Sequence, residues 1–596
     1  MPEGLEELQL FPRPRVLERT GGVCASPGNI LRTELHPDLG AESYEIRIGP
    51  EGTEIRYGDD RGLRYAEQTF GQIRQSAPAE VPCLLVKDSP DFPVRGYMLD
   101  ISRDRVPTRE TLERLVDFLS RLRINHLQLY TEHTYAYRDH EAVWRDASPI
   151  TPEDVVWLQS LCAKRGIELA ANQNAFGHME RWLQHPRYQQ LAEAPEGWQT
   201  RWGTTQKPSV LAPTDESFEL VRGLFEELLP AFTSPRVNIN CDETFELGKG
   251  LSQQEVERRG RGPVYVDFLL RILDLLHGDG REVLFWGDIV RQSPDQMARL
   301  PRADTTALAW HYEAPTDPKT MPAEIFDILG DFGIYPELFY GFRAQLEPFA
   351  EAGFPFWVCP GTSSWNSLIG RLPNARANML DAAEHGLRSG AGGYLITDWG
   401  DSGHLQPWSV SLPPLAYGAA VSWCCEANRD VPTAGFLDRE IFQDASGGLA
   451  SALERAGELY AETGVQPMNG SILHYQLLGG GLSFLARLMG SPQEKGLARV
   501  VEELDGIMAQ VEAAQLGSDD AAIVQREIRQ AARLARHGAW RSAMQSGFPA
   551  PSPATLRRDL REAIDEQREC WLARSRPGGL RDSLARLEGS LAEYGD

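Results

Sequence analysis

Eight short apolar runs between Gly96 and Thr397 limit what this chain can fold into more than any other feature. They are Gly96–Ile101, Ile124–Tyr130, Ile167–Ala171, Val237–Cys241, Val283–Trp286, Ala307–Trp310, Phe356–Cys359 and Tyr394–Thr397. Amphipathic stretches, such as Arg109–Leu122 and Tyr265–Leu276, lie between most of them. Near-continuous apolar strands alternating with helices describe a parallel sheet covered on both faces. Eight such units over roughly 250–400 residues predict an α/β fold of the (β/α)8 TIM-barrel type. A doubly wound open sheet is the alternative, but no glycine-rich dinucleotide fingerprint follows the first run.

A chain of 596 residues is too long for one core. Residues 1–92 alternate strand-like and turn-like segments: Ser43–Ile48 alternates polar and apolar, and Leu63–Ile73 suits a helix. We expect a small α+β domain there, closed by the proline-punctuated segment Ser89–Pro93. The barrel is expected over 93–430. Residues 431–596 read as a helical domain, because Leu449–Glu462, Gln493–Ala514, Asp519–Gln545 and Ala554–Trp571 combine helix-forming residues with helical spacing. These helices would brace the barrel or carry a homo-oligomer contact.

Charge and cysteine usage narrow the partners. A net charge of −25 repels phosphate backbones and anionic lipid, so neither nucleic acid nor membrane is an expected partner. The opening residues MPEGLEELQLFPRPR carry acids where a secretory signal has bases, and a cytoplasmic location is the simplest expectation. The eight cysteines are scattered without paired ligand spacing, which gives no support to zinc and suits reduced thiols. No cofactor is expected.

Barrel chemistry sits where the strands end. The eight runs lead into Ser102-Arg103-Asp104, Glu132-His133, Asn172 to His178, Asp242-Glu243, Gly287-Asp288, His311-Tyr312-Glu313, Thr362 to Asn366, and Asp398 to Asp401. No strand end holds a basic cluster for phosphate. Trp286, Trp310, Trp365 and Trp399 fall at or near the same rim. Indole faces stack on pyranose rings, and paired carboxyl groups supply acid–base chemistry for glycosidic bonds. A lone Asp-Glu dipeptide is usually a solvated loop; its place after the fourth run is what singles out Asp242 and Glu243.

Several ordered motifs resemble glycoside hydrolase family 20, the β-hexosaminidases. Arg95 to Arg103 (RGYMLDISR) resembles the first barrel strand, Ala175-Phe176-Gly177-His178 the third-strand loop, Asp242-Glu243 the catalytic pair, and Trp399-Gly400-Asp401 the Trp-x-Glu signature. Gly62 to Phe70 resembles the small domain that precedes the barrel. The resemblance implies a retaining exo-β-N-acetylhexosaminidase acting on terminal GlcNAc or GalNAc of an oligosaccharide or glycoconjugate. It implies substrate assistance, in which the 2-acetamido oxygen is the nucleophile. Glu243 would be the acid–base group, Asp242 would hold the acetamide N–H, and His178 would orient the pair. Arg95, Trp286, Trp310, Tyr312, Trp365, Trp399 and Asp401 would bind the sugar.

The chain also departs from the family pattern. Asn240-Cys241 stands where Gly-Gly is usual, and Asp401 is one methylene shorter than the usual Glu. The acetamide-contacting Tyr-x-Asp has no clear counterpart near Pro360–Trp365; Tyr312 or Tyr340 could replace it. Three other readings stay open. One is a retaining glycosidase with a carboxylate nucleophile among Asp288, Glu313 and Asp401. Another is a non-catalytic carbohydrate-binding barrel. The third, a metal-dependent hydrolase, is weakened because His126 lacks a partner at ligand spacing.

Overall fold

A computed structural model describes residues 8–76, 80–103, 105–199, 205–320, 326, 335–479 and 490–595. Its first unit is a five-stranded sheet of β1 (Val16–Cys24), β2 (Ile30–Leu35), β3 (Tyr44–Gly49), β4 (Gly52–Tyr57) and β5 (Val81–Asp88). The spatial order is β1-β5-β3-β4-β2. The helix Asp60–Ser76 covers one face with Tyr65, Ala66, Phe70 and Ile73, whose spacing gives it one apolar side. The expected strand, Ser43–Ile48, is offset by one residue from β3, and the expected helix, Leu63–Ile73, lies within the longer Asp60–Ser76.

The eight apolar runs fall on the eight strands of a closed parallel barrel. These are β6 (Val94–Asp100), β7 (His126–Tyr130), β8 (Glu168–Asn172), β11 (Arg236–Asn238), β12 (Glu282–Trp286), β13 (Thr305–Trp310), β14 (Phe356–Cys359) and β15 (Gly393–Asp398). A two-residue hairpin, β9 (Trp198–Gln199) and β10 (Thr205–Gln206), lies in the long loop after β8. Alternation along the strands sorts the side chains. Tyr97, Leu127, Val283, Phe285, Val358 and Ile396 face the surrounding helices. Met98, Tyr130, Leu284, Trp286, Leu308, Trp357 and Leu395 fill the interior. Deeper in the barrel the Gln128 carbonyl accepts from Asn172 and Asn238, both at 2.9 Å, so this polar layer is paired within itself.

Beyond Trp423, where the last barrel helix (Leu412–Trp423) ends, the described chain is almost entirely helical. Helices at Leu449–Glu458, Glu494–Ala513, Ala521–Gln545 and Pro553–Arg574 match the expected ones, and Leu580–Leu591 adds one the sequence reading missed. Buried charges join them to the barrel. Glu527, fully buried, accepts from Ser409 at 2.7 Å and pairs with Arg574 at 3.1 Å. Arg105 donates to the carbonyl oxygen of Gln406 at 2.7 Å and to the hydroxyl of Ser575. No helix among the described residues is long and apolar enough to cross a membrane, and all eight cysteines are buried and unpaired.

Candidate active site

The site begins with a strained turn. After β11 the backbone takes positive φ at Asn240 (59°), Cys241 (66°) and Glu243 (50°), a region that costs non-glycine residues about 1–3 kcal/mol each. Hydrogen bonds hold it. The Asn240 carboxamide donates to Asn172 at 2.8 Å and accepts from the Trp286 indole N–H at 2.9 Å. The Tyr265 hydroxyl donates to the Cys241 carbonyl at 2.8 Å, and Asp288 accepts the Glu243 backbone N–H at 3.2 Å. The neighbouring loop passes so close that a Cβ on Gly177 would lie 2.1 Å from the Asp242 carbonyl oxygen. Only glycine lets His178 approach the carboxylate pair there.

The turn sets Asp242 and Glu243 in different surroundings. The Asp242 side chain is 8% exposed and that of Glu243 37%, so one is sunk in the wall and the other reaches into the opening. His178 bridges them, with Nε2 3.3 Å from Asp242 Oδ2 and 3.4 Å from Glu243 Oε2. Burial works against a charge on this imidazole. The two carboxylates, Asp242 foremost, outweigh burial and hold its pKa well above the ordinary value. Nδ1 faces Glu132 at 3.9 Å, and burial raises the pKa of that carboxyl despite Arg103. Asp242 Oδ1 is buried and has no hydrogen-bond partner among the described residues.

These groups open onto a cavity of about 210 Å³. Trp286, Trp310, Trp365, Trp399 and Tyr312 form its aromatic lining. Trp310 stacks on Tyr312 at 5.2 Å, and Tyr312 meets Trp365 and Trp399 edge-on. The indole N–H groups of Trp310 and Trp399 are buried without partners among the described residues. The structure therefore brings nine of the ten expected site residues together: Asp242, Glu243, His178, Trp286, Trp310, Tyr312, Trp365, Trp399 and Asp401. Of the two tyrosines weighed for the missing acetamide contact, Tyr312 lines the cavity, while Tyr340 is 49% exposed and does not.

Arg95 is the correction. It lies near the start of β6, at the opposite end of the barrel from the cavity, and is fully buried. Its guanidinium donates to the carbonyls of Phe92 and Arg123, lies 2.7 Å from Glu42 Oε2, and stacks on Trp423 at 4.9 Å. A β-strand of seven residues separates its ends by about 20 Å, so the first residues of a barrel strand cannot reach the rim. The arginine that lines the cavity is Arg103, just beyond β6. It sits between Asp100 (3.3 Å), Glu132 (3.2 Å) and Asp401 (3.5 Å), over the rings of Tyr130 and Trp399. Ser102-Arg103 follows the end of the first apolar run and so reaches the rim, whereas Arg95, before its start, does not.

The three carboxylates considered as nucleophiles are each engaged. Glu313 accepts from Arg371 at 3.0 Å and from the Asn469 backbone N–H at 2.8 Å. Asp401 faces Arg103, and burial raises its pKa. Asp288 lies behind the turn and is pushed up to about 7, by burial first and by Asp242 second. His311, also in the lining, is held down to about 4 by burial and is neutral at physiological pH.

Two lining residues come from outside the barrel. Met468 and Asn469, in a loop before the helix Ile472–Leu478, complete the wall beside Trp365. Asn469 Oδ1 accepts the Trp365 indole N–H at 2.7 Å. The loop carries no apolar or catalytic pattern, so periodicity could not have found it.

Comparison with known proteins agrees with this architecture. The Akkermansia muciniphila "Beta-hexosaminidase" is 24% identical over 265 residues, 40% of this chain and 53% of that protein. The "Beta-hexosaminidase" of Porphyromonas gingivalis is 23% identical over 350 residues, 53% of this chain and 44% of that one. The chain thus spans about half the length of these curated relatives. Among solved structures, a Vibrio harveyi family 20 exo-β-N-acetylglucosaminidase in complex with N-acetylglucosamine is similar, at TM-score 0.55 and 16% identity over 76% of this chain and 78% of that one. The chitobiase of Flavobacterium johnsoniae gives TM-score 0.56 and 14% identity over 98% and 99%. Both likenesses are of fold. Residues 92–325 match the model "Glycosyl hydrolase family 20, catalytic domain", and residues 8–89 match "domain 2" of the same family. With both family domains matched in order over more than half its length, the chain belongs to glycoside hydrolase family 20.

Proposed function

We propose that this protein is a retaining exo-β-N-acetylhexosaminidase, releasing terminal β-linked GlcNAc or GalNAc by substrate-assisted catalysis. One observation carries the reading: Asp242 Oδ1 is buried and unpartnered beside an aromatic cavity, with a more exposed carboxyl, Glu243, next to it. A buried lone carboxylate oxygen is costly unless a donor arrives, and an acetamide N–H is such a donor.

In this reading the sugar packs on the cavity indoles, and Asp242 holds the acetamide N–H so that its carbonyl oxygen points at the anomeric carbon. Glu243 protonates the departing oxygen. The acetamide oxygen closes on the anomeric carbon as that bond breaks, giving an oxazolinium ion whose charge faces Asp242. Glu243 then takes a proton from water, which opens the ring on the same face. His178 positions both carboxylates, while Arg103 and Asp401 meet hydroxyls at the far side. We further propose that the exposed helical faces carry a homo-oligomer contact, which light scattering would read.

Aryl N-acetylglucosaminide and N-acetylgalactosaminide should be hydrolysed, and the plain aryl glucoside and galactoside should be nearly inert. An attached nucleophile is worth an effective concentration of about 10⁵–10⁸ M in well-oriented cases. Comparable rates on the plain sugars would eliminate substrate assistance and favour a carboxylate nucleophile.

A further inference from the structure

Two buried glutamates tie the loop that carries His178 to the loop that carries the carboxylate pair, one from each side. Glu246 follows the Asp242-Glu243 turn and is buried. Its Oε1 accepts from the Ser209 backbone N–H at 2.7 Å and from the Ser209 hydroxyl at 2.8 Å, across in the long loop after β8. Glu193 lies in that long loop, is fully buried, and reaches the opposite way. Its Oε1 accepts the backbone N–H groups of Gly248, Gly250 and Ser252, each at 3.1 Å, and the Ser252 hydroxyl at 2.8 Å. A buried carboxylate is costly unless donors meet it. Here each loop supplies the donors for the other loop's acid, so neither acid is satisfied unless the two loops are in register.

The tie ends on His178. The Ser209 carbonyl accepts the Met179 backbone N–H at 2.8 Å, and the Phe176 carbonyl accepts that of Leu211 at 3.0 Å, so Ser209–Leu211 brackets Gly177 and His178. His178 itself holds φ at 54°, a conformation that persists only where its surroundings impose it. The paired residues of β8 and β11 end at Asn172 and Asn238, so that ladder stops short of both the imidazole and the carboxylates. Neither glutamate is part of the cavity lining. We propose that Glu193 and Glu246 are positioning residues for this site, a reciprocal latch that keeps the His178 imidazole on Asp242 and Glu243. A misplacement of about 1 Å in such an arrangement can cost on the order of 10²-fold in rate. The kinetic part of this inference rests on the hexosaminidase reading above, and the geometric part does not.

The test follows the His178 imidazole by NMR, in parallel with the melting temperature and with kcat and KM on an aryl N-acetylglucosaminide. Asp242 and Glu243 keep this ring protonated well above the ordinary range, and Glu132 faces its other nitrogen at 3.9 Å. In Glu246→Ala the loops should slip, and the pH at which His178 loses its proton should fall by about one pH unit as the carboxylates draw away from the cation. There kcat should fall by roughly 10–100-fold with KM little changed. Glu246→Gln keeps an acceptor oxygen for Ser209 and should recover most of both. Ser209→Ala removes one of the two bonds and should give the same changes at smaller size, roughly 3–10-fold in kcat. It carries the test if Glu246→Ala fails to fold. A folded Glu246→Ala with His178 titration and kcat both unmoved would overturn the latch, whatever its melting temperature, and leave Glu246 a stabilising residue only. Equal losses in the Ala and Gln variants would overturn it as well. A wild-type protein inert on the aryl substrate would overturn the hexosaminidase reading, while the His178 titration would still decide the latch.

Discussion

The two ends of the barrel are built from similar residues and behave in opposite ways. At the end facing the small sheet, Arg95 and Arg123 are buried against Glu42, Asp88 and Trp423. Asp88 also accepts from Tyr44 at 2.8 Å and from the Trp423 indole at 2.9 Å. At the other end, arginines, carboxylates and tryptophans again meet, but around a cavity, with Asp242 Oδ1 and the indole N–H groups of Trp310 and Trp399 unpartnered among the described residues. Composition alone does not separate a clamp from a site. What separates them is that each buried arginine of the closed end meets a carboxylate of the small domain, whereas at the open end a carboxylate oxygen is left beside a cavity.

Breaking the open end should cost activity and spare folding. Glu243→Gln is expected to lower turnover by about 10²–10⁴ on substrates with poor leaving groups, the usual worth of a positioned general acid. The loss should be smaller with an activated aryl leaving group. Steady-state kinetics on both substrate types checks it, and equal losses would remove Glu243 from that role.

Breaking the closed end should do the reverse. Arg123→Met leaves the Asp88 carboxylate buried without its cation and should destabilise the fold by about 3–5 kcal/mol. Denaturant unfolding reads the loss, and kcat per folded molecule should hold. A change in kcat at unaltered stability would mean that the clamp reaches the site.

Asn469 tests whether the helical region belongs to the open end. Its φ of 55° suits glycine, so Asn469→Gly keeps the backbone and its N–H to Glu313 while deleting the acceptor for Trp365. Losing one hydrogen bond of about 1 kcal/mol predicts a fall in kcat/KM of roughly 3–10-fold, chiefly through KM, with the melting temperature held. A lower melting temperature with unchanged kinetics would make the loop a brace.

The last expected effect is a slope in pH. Asp288 is raised from 3.8 to about 7, so the native state keeps a proton that the unfolded chain releases between those values. Stability therefore declines as pH rises through that window. Asp288→Asn should flatten the unfolding free energy between pH 4 and 7. An unchanged slope would show that Asp288 ionises normally.

The strands and the carboxylate pair were legible because both are local: an apolar run of strand length, then acids where it stops. The C-terminal helices were legible for the same reason. Arg95 and Arg103 were not separable locally, since both flank one apolar run and only the length of β6 decides which end each occupies. Arg291 and Asn469 were illegible for another reason. Each reaches the cavity through tertiary packing, one from the loop after β12 and one from beyond the barrel, and neither carries a period or motif.

The turn before Asp242 has a consequence for how such sites drift. Its specification is a pair of torsion angles, and Gly-Gly is only the least demanding way to write them. Here Asn240 and Cys241 adopt the same left-handed conformation, held by the carboxamide between Asn172 and Trp286 and by the Tyr265 hydroxyl on the Cys241 carbonyl. The glycine freedom has been traded for a set of coupled contacts. Restoring glycine at 240 would relax the backbone and strip both hydrogen bonds in one step. Homologues are therefore expected to exchange these positions in blocks, and a search keyed to the glycines would pass over chains that keep the geometry by other means.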